Sequence, residues 1–316
     1  MLESRERKVE VGPLHDKSVF RFIGEGNGRV FGKLNLPHNQ PKSTVCPTIF
    51  RDVAVEHGFK VETGAPVMKG KKLWRQAVLP IVEQEFLFKE SVIEKCANAY
   101  ADECFAGLSE QDKEEIRTPL SLMAAINGIP GRKYVDSVNR SSSAGFPWMK
   151  TKKGLTVGLP ADDIWQDPIT FTDEVLERTN EMLERYLRKE LVAPIFTAHA
   201  KDEALPLAKI VSEKTRIMNG APIDWSILVR MVYLPIVRVI QNNKFLFESM
   251  PGAVAQSVEW DHIYKFLTSF GVGKMVAGDY GKFDKKMSAV FILWAFYCLI
   301  RIATKCGAGS DQILIM

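Results

Sequence analysis

Two carboxylates near the end of the sequence have the residue type and spacing for metal-assisted chemistry. In Val276-Ala-Gly-Asp-Tyr-Gly-Lys-Phe-Asp284 an apolar run leads into Asp279, and Asp284 follows five residues later. The pattern predicts a strand over 274–279, a turn, and an apolar helix over 288–304. A carboxylate at a strand end can hold a hard cation, and the turn returns the second acid beside it. The spacing alone also suits an ordinary strand-to-helix turn with acids at the helix cap. Asp162 and Asp167 share the spacing, but lack the apolar strand before and the apolar helix after; they read as solvated loop acids.

Two further clusters could handle phosphate. Lys201-Asp-Glu-Ala-Leu-Pro-Leu-Ala-Lys209 runs on to Lys214-Thr-Arg216. A nucleoside triphosphate carries about four negative charges, and Arg offers bidentate donors to phosphate oxygens. A charged surface hairpin is the plain alternative. Ser142-Ser-Ala-Gly-Phe-Pro-Trp148 precedes Lys150, Lys152 and Lys153. Small residues let a phosphodiester backbone approach, and hydroxyls and backbone N–H groups can donate to it. Gly145 supplies unusual backbone angles, Phe146-Pro147 stiffens the loop, and the lysines add sequence-independent attraction. Taken alone, this stretch also reads as a turn.

These residues need elements to position them. Residues 12–70 are rich in Gly and Pro (Gly24, Gly26, Gly28, Pro37, Pro41 and Pro47 among them), and read as short strands and extended loops. Val92, Ile93, Cys96, Ala97, Tyr100, Ala101 and Cys104 form a helical stripe ended by Gly107. Thr118-Pro119 reads as an N-cap with Pro at the first helical position, Leu120, Met123 and Ala124 as the buried face, and Gly128 as the stop. A helix is predicted from Val175 to Leu187, strands over 191–200 and 210–218, and a helix capped by Asp224 through Ile240 with Pro235 inside it. An amphipathic helix is expected over 257–270.

Composition sets the bounds. The 316 residues are 46% hydrophobic and 25% charged, enough for a buried core in one large domain or two. A net charge of +4 is compatible with nucleic acid without being diagnostic. The five cysteines include no C-x-x-C pair and no zinc spacing, and read as reduced thiols of a cytosolic protein. The charged start, Met1-Leu-Glu-Ser-Arg-Glu-Arg-Lys8, is no secretory signal. The apolar run over 287–300 is shorter than the roughly 20 residues a membrane span needs.

The three clusters together resemble motifs G (Ser142-Ser-Ala-Gly-Phe-Pro-Trp148), F (Lys201 to Arg216) and A (Val276 to Asp284) of RNA-dependent RNA polymerases from picornavirus-like viruses. They occur in that order. Pro119-Leu-Ser-Leu-Met-Ala-Ala-Ile-Asn-Gly128 resembles the helix before motif G, and Met250-Pro-Gly-Ala-Val-Ala-Gln-Ser-Val-Glu-Trp260 the stretch before motif A. The resemblance spans about residues 30–305, and dicistrovirus-like or marine picorna-like lineages are nearest. It implies an α+β right-hand polymerase: fingers over 1–230, including an index-finger-like segment over 1–70, then the start of a ferredoxin-like palm over 231–316, without thumb or remaining palm. It also implies roles. Asp279 is the Mg²⁺ (or Mn²⁺) ligand for two-metal transfer, and Asp284 recognises the ribose 2′-hydroxyl. Lys201, Lys209 and Arg216 bind the triphosphate; Ser142, Ser143, Gly145 and Lys150 guide template RNA.

Reverse transcriptases carry an aromatic residue where Asp284 stands, so aspartate favours ribonucleotides over that alternative. One departure is Leu205, where picornaviruses often place Arg. No motif B pattern or Gly-Asp-Asp of motif C follows residue 288. The chain alone is therefore expected to bind RNA without synthesising it; a non-catalytic RNA-binding derivative of a polymerase is the other reading. Expected partners are RNA template and primer, ribonucleoside triphosphates and other viral replication proteins, at replication complexes in the host cytoplasm.

Overall fold

Leu73 and Ala77 stand one helical turn apart and are buried on one face of the helix Lys71–Val82. Against them pack Ala200 and Ile217, which pair with each other in an antiparallel ladder. The computed structural model describes residues 11–12, 33–34, 42–82 and 88–316, with both helices and strands. The glycine- and proline-rich stretch up to residue 41 lies outside the described residues except for one short antiparallel pair, Val11–Gly12 with Lys33–Leu34. The described residues form two units.

The first unit joins residues up to Val82 with Phe196–Gly220 and Gly281–Ser288. Its ladder pairs Thr197–Ala200 with Ile217–Gly220, in the register Thr197↔Gly220 to Ala200↔Ile217. Both strands are shorter than predicted. Where the second was expected to start, residues Leu207–Val211 are helical instead. The Lys214 N–H donates to the Lys209 carbonyl (2.9 Å), and Glu213 takes a positive φ of 56° to close that turn. A chain that must reverse between paired strands within sixteen residues cannot stay extended throughout. Leu205 pairs with Gly64 and is buried, so the position where the resemblance leads one to expect Arg is here a core residue. The short helix Phe283–Lys286, entered through left-handed Lys282, completes the unit.

The second unit holds Leu87–Ile195, Ala221–Tyr280 and Ala289–Met316. The helix Glu90–Gly107 turns its small residues Ala97, Ala101 and Cys104 toward Cys298 and Ile302 of the helix Ala289–Lys305, and Arg301 clamps Asp102 through two hydrogen bonds. The predicted stripe is thus only half used: Val92 and Tyr100 are exposed. The long helix Ile223–Asn242 runs through two clusters, with Ile223 and Ile227 in one and Ile236 and Val239 in the other. Beside it lies the helix Asp173–Leu187, which buries Val175, Thr179 and Met182.

Three expectations about ends and strands change. The cap at residues 118–119 moves to Ser121, whose Oγ accepts from the Ala124 N–H (3.2 Å) at the start of Leu122–Asn127. Pro119 and Leu120 precede the helix, and the Leu120 N–H donates to the Met231 carbonyl (2.8 Å), a long-range bond that no local pattern announces. Asp224 sits inside the first turn of its helix, where it is fully buried, rather than capping it. The strand over 274–279 does not form: Val272–Lys274 is a 3₁₀ turn and the following residues are unpaired, with Val276 98% exposed. An extended segment becomes a strand only when another strand satisfies its N–H and C=O groups, and none of the described residues pairs with this one.

Candidate functional site

The serine-rich loop is built from its own polar groups. The Ala144 N–H donates to the Lys150 carbonyl (2.8 Å), the Lys152 N–H to the Ser142 carbonyl (2.9 Å), and the Met149 N–H to the Gly145 carbonyl (2.8 Å). Gly145 has a φ of 76°, and a Cβ there would stand 2.8 Å from both the Ala221 carbonyl oxygen and Pro222 Cα. The predicted need for glycine is therefore met twice, by backbone conformation and by close approach. The Ile223 N–H donates to the Ala144 carbonyl (2.9 Å), tying the loop to the head of the long helix.

The hydroxyls expected to face RNA are partly engaged inside the loop. Ser142 Oγ donates to the Asn139 carbonyl (2.9 Å) and accepts from Lys152 Nζ (2.6 Å), while Ser143 Oγ accepts from the Gly145 N–H (3.1 Å). Lys152 Nζ also donates to the Ser143 carbonyl (2.9 Å), and burial holds its ammonium below the ordinary lysine value. Lys152 is thus a brace of the loop, whereas Lys150 and Lys153 are exposed. Behind the loop, the buried Asp224 carboxylate accepts from Arg178 Nε (3.1 Å), and the Arg178 guanidinium lies 5.3 Å from the Trp148 ring centre. Burial pushes the Asp224 carboxyl upward while the ion pair with Arg178 opposes it. No spacing rule points to this pair, whose members are 46 residues apart.

The basic segment carries an acid that sequence reasoning passed over. Glu203 accepts from Arg216 Nε and Nη2, both at 2.6 Å, and pairs with Lys201 Nζ at 2.9 Å. The Arg216 bonds, then the Lys201 bond, pull the Glu203 carboxyl down to about 2. The neighbouring Asp202 accepts from Ser43 Oγ, the Thr44 N–H and Thr44 Oγ1, each at 2.6 Å. The charge of Asp284 also bears on Arg216, whose own value is raised first by Glu203 and then by that carboxylate. Of the predicted site residues, Lys201 and Arg216 are therefore brought together on Glu203, and Asp284 lies in the same unit. Lys209 lies in the last turn of its helix with its side chain exposed. The two acids that directly follow Lys201, Asp202 and Glu203, were the signal available in the sequence.

Asp279 is exposed on the unpaired segment of the second unit. Its carboxylate is a hard oxygen donor of the kind Mg²⁺ prefers. Among the described residues no three His, Cys, Asp or Glu side chains gather closely enough to hold a metal ion, so Asp279 stands as one donor and not as a finished site. Also among the described residues, no helix is long and apolar enough to cross a membrane.

Comparison with known proteins supplies the frame for this geometry. The family model of viral RNA-dependent RNA polymerase matches residues 83–305. The replicase polyprotein of Drosophila C virus is 26% identical over a 315-residue alignment that covers 91% of this chain and 16% of that polyprotein. The genome polyprotein of human hepatitis A virus genotype IB (isolate HM175) is 30% identical over 229 residues, covering 68% of this chain and 9% of that polyprotein. Among solved structures, the Sicinivirus 3Dpol RNA-dependent RNA polymerase superposes with a TM-score of 0.65 at 17% identity, over 88% of this chain and 55% of that one. The chain thus spans about half of a solved polymerase and a small part of each polyprotein, and its α+β fold is that of a right-hand polymerase. The expected picornavirus-like relationship, with a dicistrovirus among the relatives, stands on these matches. The chain belongs to the viral RNA-dependent RNA polymerase family.

Proposed function

We propose that this chain is part of a viral RNA-directed RNA polymerase that adds ribonucleotides to an RNA 3′ end on an RNA template. In this reading residues 1–230 are mainly fingers and 231–316 begin the palm. Lys201, Lys209 and Arg216 receive the triphosphate, Asp284 recognises the ribose 2′-hydroxyl, and the loop from Ser142 through Gly145 to Lys150 guides the template backbone. The observation that carries it is the grouping of Arg216, Lys201 and Asp284 in one unit of a chain of this family.

The chemistry assigned to each group follows from its type. Arg216 has N–H donors beyond those on Glu203, arranged for two phosphate oxygens at once. Asp284 can accept from a ribose hydroxyl, and a site that depends on that bond rejects the deoxy sugar. Ser142 braces the loop and Gly145 is buried, so direct template contact falls to the exposed Ser143, whose hydroxyl keeps its own donor, and to the exposed Lys150. A divalent cation, when bound, neutralises charge on the transferring phosphoryl group, and Asp279 supplies one oxygen to it. Action at replication complexes in the host cytoplasm, with other viral replication proteins, belongs to the same proposal.

The test is nucleotide addition by a polymerase that includes this chain. Arg216→Ala is expected to raise the nucleotide KM and lower kcat, and Arg216→Lys to restore only part of the loss because the bidentate geometry is gone. Kinetics identical to the parent for Arg216→Ala refute the phosphate assignment.

A further inference from the structure

We propose that Glu203 is a positioning residue: it fixes the Arg216 guanidinium and the Lys201 ammonium in place and orientation before a nucleoside triphosphate arrives. The proposal rests on the reading of Lys201 and Arg216 as phosphate-holding groups and adds what orients them.

The geometry distinguishes a support from a competitor. Glu203 takes only the Nε–Nη2 edge of Arg216, with one bond to each carboxylate oxygen. A guanidinium has five N–H donors, so three remain, including both on Nη1. One on Nη2 and one on Nη1 form the adjoining end-on edge, which is the edge a phosphate can share, while the second Nη1 N–H points back toward Cδ. Exposure agrees: the Arg216 side chain is 64% exposed and Glu203 only 24%, so the carboxylate backs the guanidinium while the cation reaches solvent.

The carboxylate is itself held. The Lys201 N–H donates to the Arg216 carbonyl (2.8 Å), continuing the ladder one step beyond Ala200 and Ile217 and fixing the two cations side by side. The next residue, Asp202, is bound away by Ser43 and Thr44 through three hydrogen bonds. Adjacent acids thus do different work. Asp202 anchors the segment, and Glu203 joins both cations. A free arginine samples many rotamers, and ordering it at the moment of binding weakens affinity. A pair already joined by charge-assisted bonds has that ordering done. Lys201, Arg216 and Glu203 together carry one net positive charge.

The experiment uses the chain of residues 1–316 and two fluorescent probes, mant-GTP and mant-GMP. Binding is titrated for the parent, Arg216→Ala, Glu203→Gln, Glu203→Asp and the double variant Arg216→Ala/Glu203→Gln. For mant-GTP, Arg216→Ala is expected to weaken binding about tenfold, and Glu203→Gln about threefold to fivefold. Glu203→Asp is expected to recover part of that loss, mant-GMP to respond little, and the double variant to lose little more than Arg216→Ala alone. The parent is also expected to show a resolved Arg216 Nε–H signal by NMR near neutral pH that Glu203→Gln removes. This readout needs no activity and detects the orientation directly.

The outcomes separate cleanly. No binding by the parent, or no change on Arg216→Ala, overturns the phosphate reading and the proposal with it. Loss on Arg216→Ala without loss on Glu203→Gln overturns the positioning role alone. Tighter mant-GTP binding by Glu203→Gln also overturns it, because Glu203 then occupies the phosphate's place. Absence of the Nε–H signal in the parent overturns the claim that the guanidinium is fixed.

Discussion

The loop over 142–152 and the segment over 275–280 each carry a motif yet end in opposite states. In the loop, Ala144, Gly145, Phe146 and Pro147 are all buried, and nearly every turn closes on a partner within ten residues or on the start of the long helix. In the segment, every residue from Met275 to Tyr280 is exposed and none is paired in a ladder. The first is a structure that its own residues complete. The second is a pattern whose backbone groups need partner strands, and the described chain brings none to it. Motif chemistry and motif structure are therefore separable: Asp279 keeps its chemical type while the strand meant to carry it is unformed.

The sharpest way to break this contrast is to mutate one residue on each side. Asp279→Ala is expected to leave the melting temperature of this chain unchanged, because the side chain is exposed and no described group bonds to it. In a polymerase that includes the chain, the same change is expected to cut nucleotide addition by more than about tenfold, since it removes a hard-oxygen ligand. A clear drop in melting temperature would mean that the segment is packed after all. Retained elongation would remove Asp279 from the chemistry.

Gly145→Ala reverses the signature. The new Cβ meets backbone at 2.8 Å on two sides, and the residue must hold a φ of 76°. Strain plus overpacking predicts a loss of about 2–4 kcal/mol, read by chemical denaturation. A loss below about 0.5 kcal/mol would show that the loop yields easily, and the contrast between the two regions would fail.

This difference explains what could be read from the residues alone. The helices Glu90–Gly107, Asp173–Leu187, Ile223–Asn242 and Ala289–Lys305 follow from apolar periodicity, which is local. The positive φ of Gly145 follows from the demands of a tight loop. The cap at Ser121 was missed because a backbone bond to Met231, more than a hundred residues away, decides where the chain turns into its helix. The strand expected over 274–279 does not form because β structure is a property of pairs. In the site, cation type and order were legible, but Glu203 was not: a carboxylate among lysines looks like charge balance until its two bonds to Arg216 are seen. Arg178 and Asp224 were hidden for the same reason, being joined only by the packing of two helices.

The basic segment lies between the two extremes, exposed like the one and internally bonded like the other, and Asp284 shares its electrostatics. Asp284→Ala is expected to narrow the preference for GTP over dGTP by several-fold in single-nucleotide addition, because one polar contact to the 2′-hydroxyl is lost. The effect is smaller than that of Asp279→Ala because binding and chemistry both persist. An unchanged ratio would remove Asp284 from sugar recognition.

The smallest expected effect measures how closed the basic segment is. The Glu203 carboxyl lies at about 2 against an ordinary value of 4.5, with the Arg216 bonds as the largest cause and Lys201 next. A carboxyl whose folded value is depressed contributes stability that is present above about 4.5 and lost as the pH falls toward 2. Solvent screens the pair, so the change in stability is slight and falls further with salt. The titration itself is the better readout. Carboxyl-carbon NMR on the parent is expected to show Glu203 still ionised when most other glutamates have protonated. In Arg216→Ala its midpoint is expected to rise toward the ordinary range, stopping short because Lys201 remains. A parent midpoint already near 4.5 would place the basic segment with the open region over 275–280, its cations unheld until a phosphate arrives.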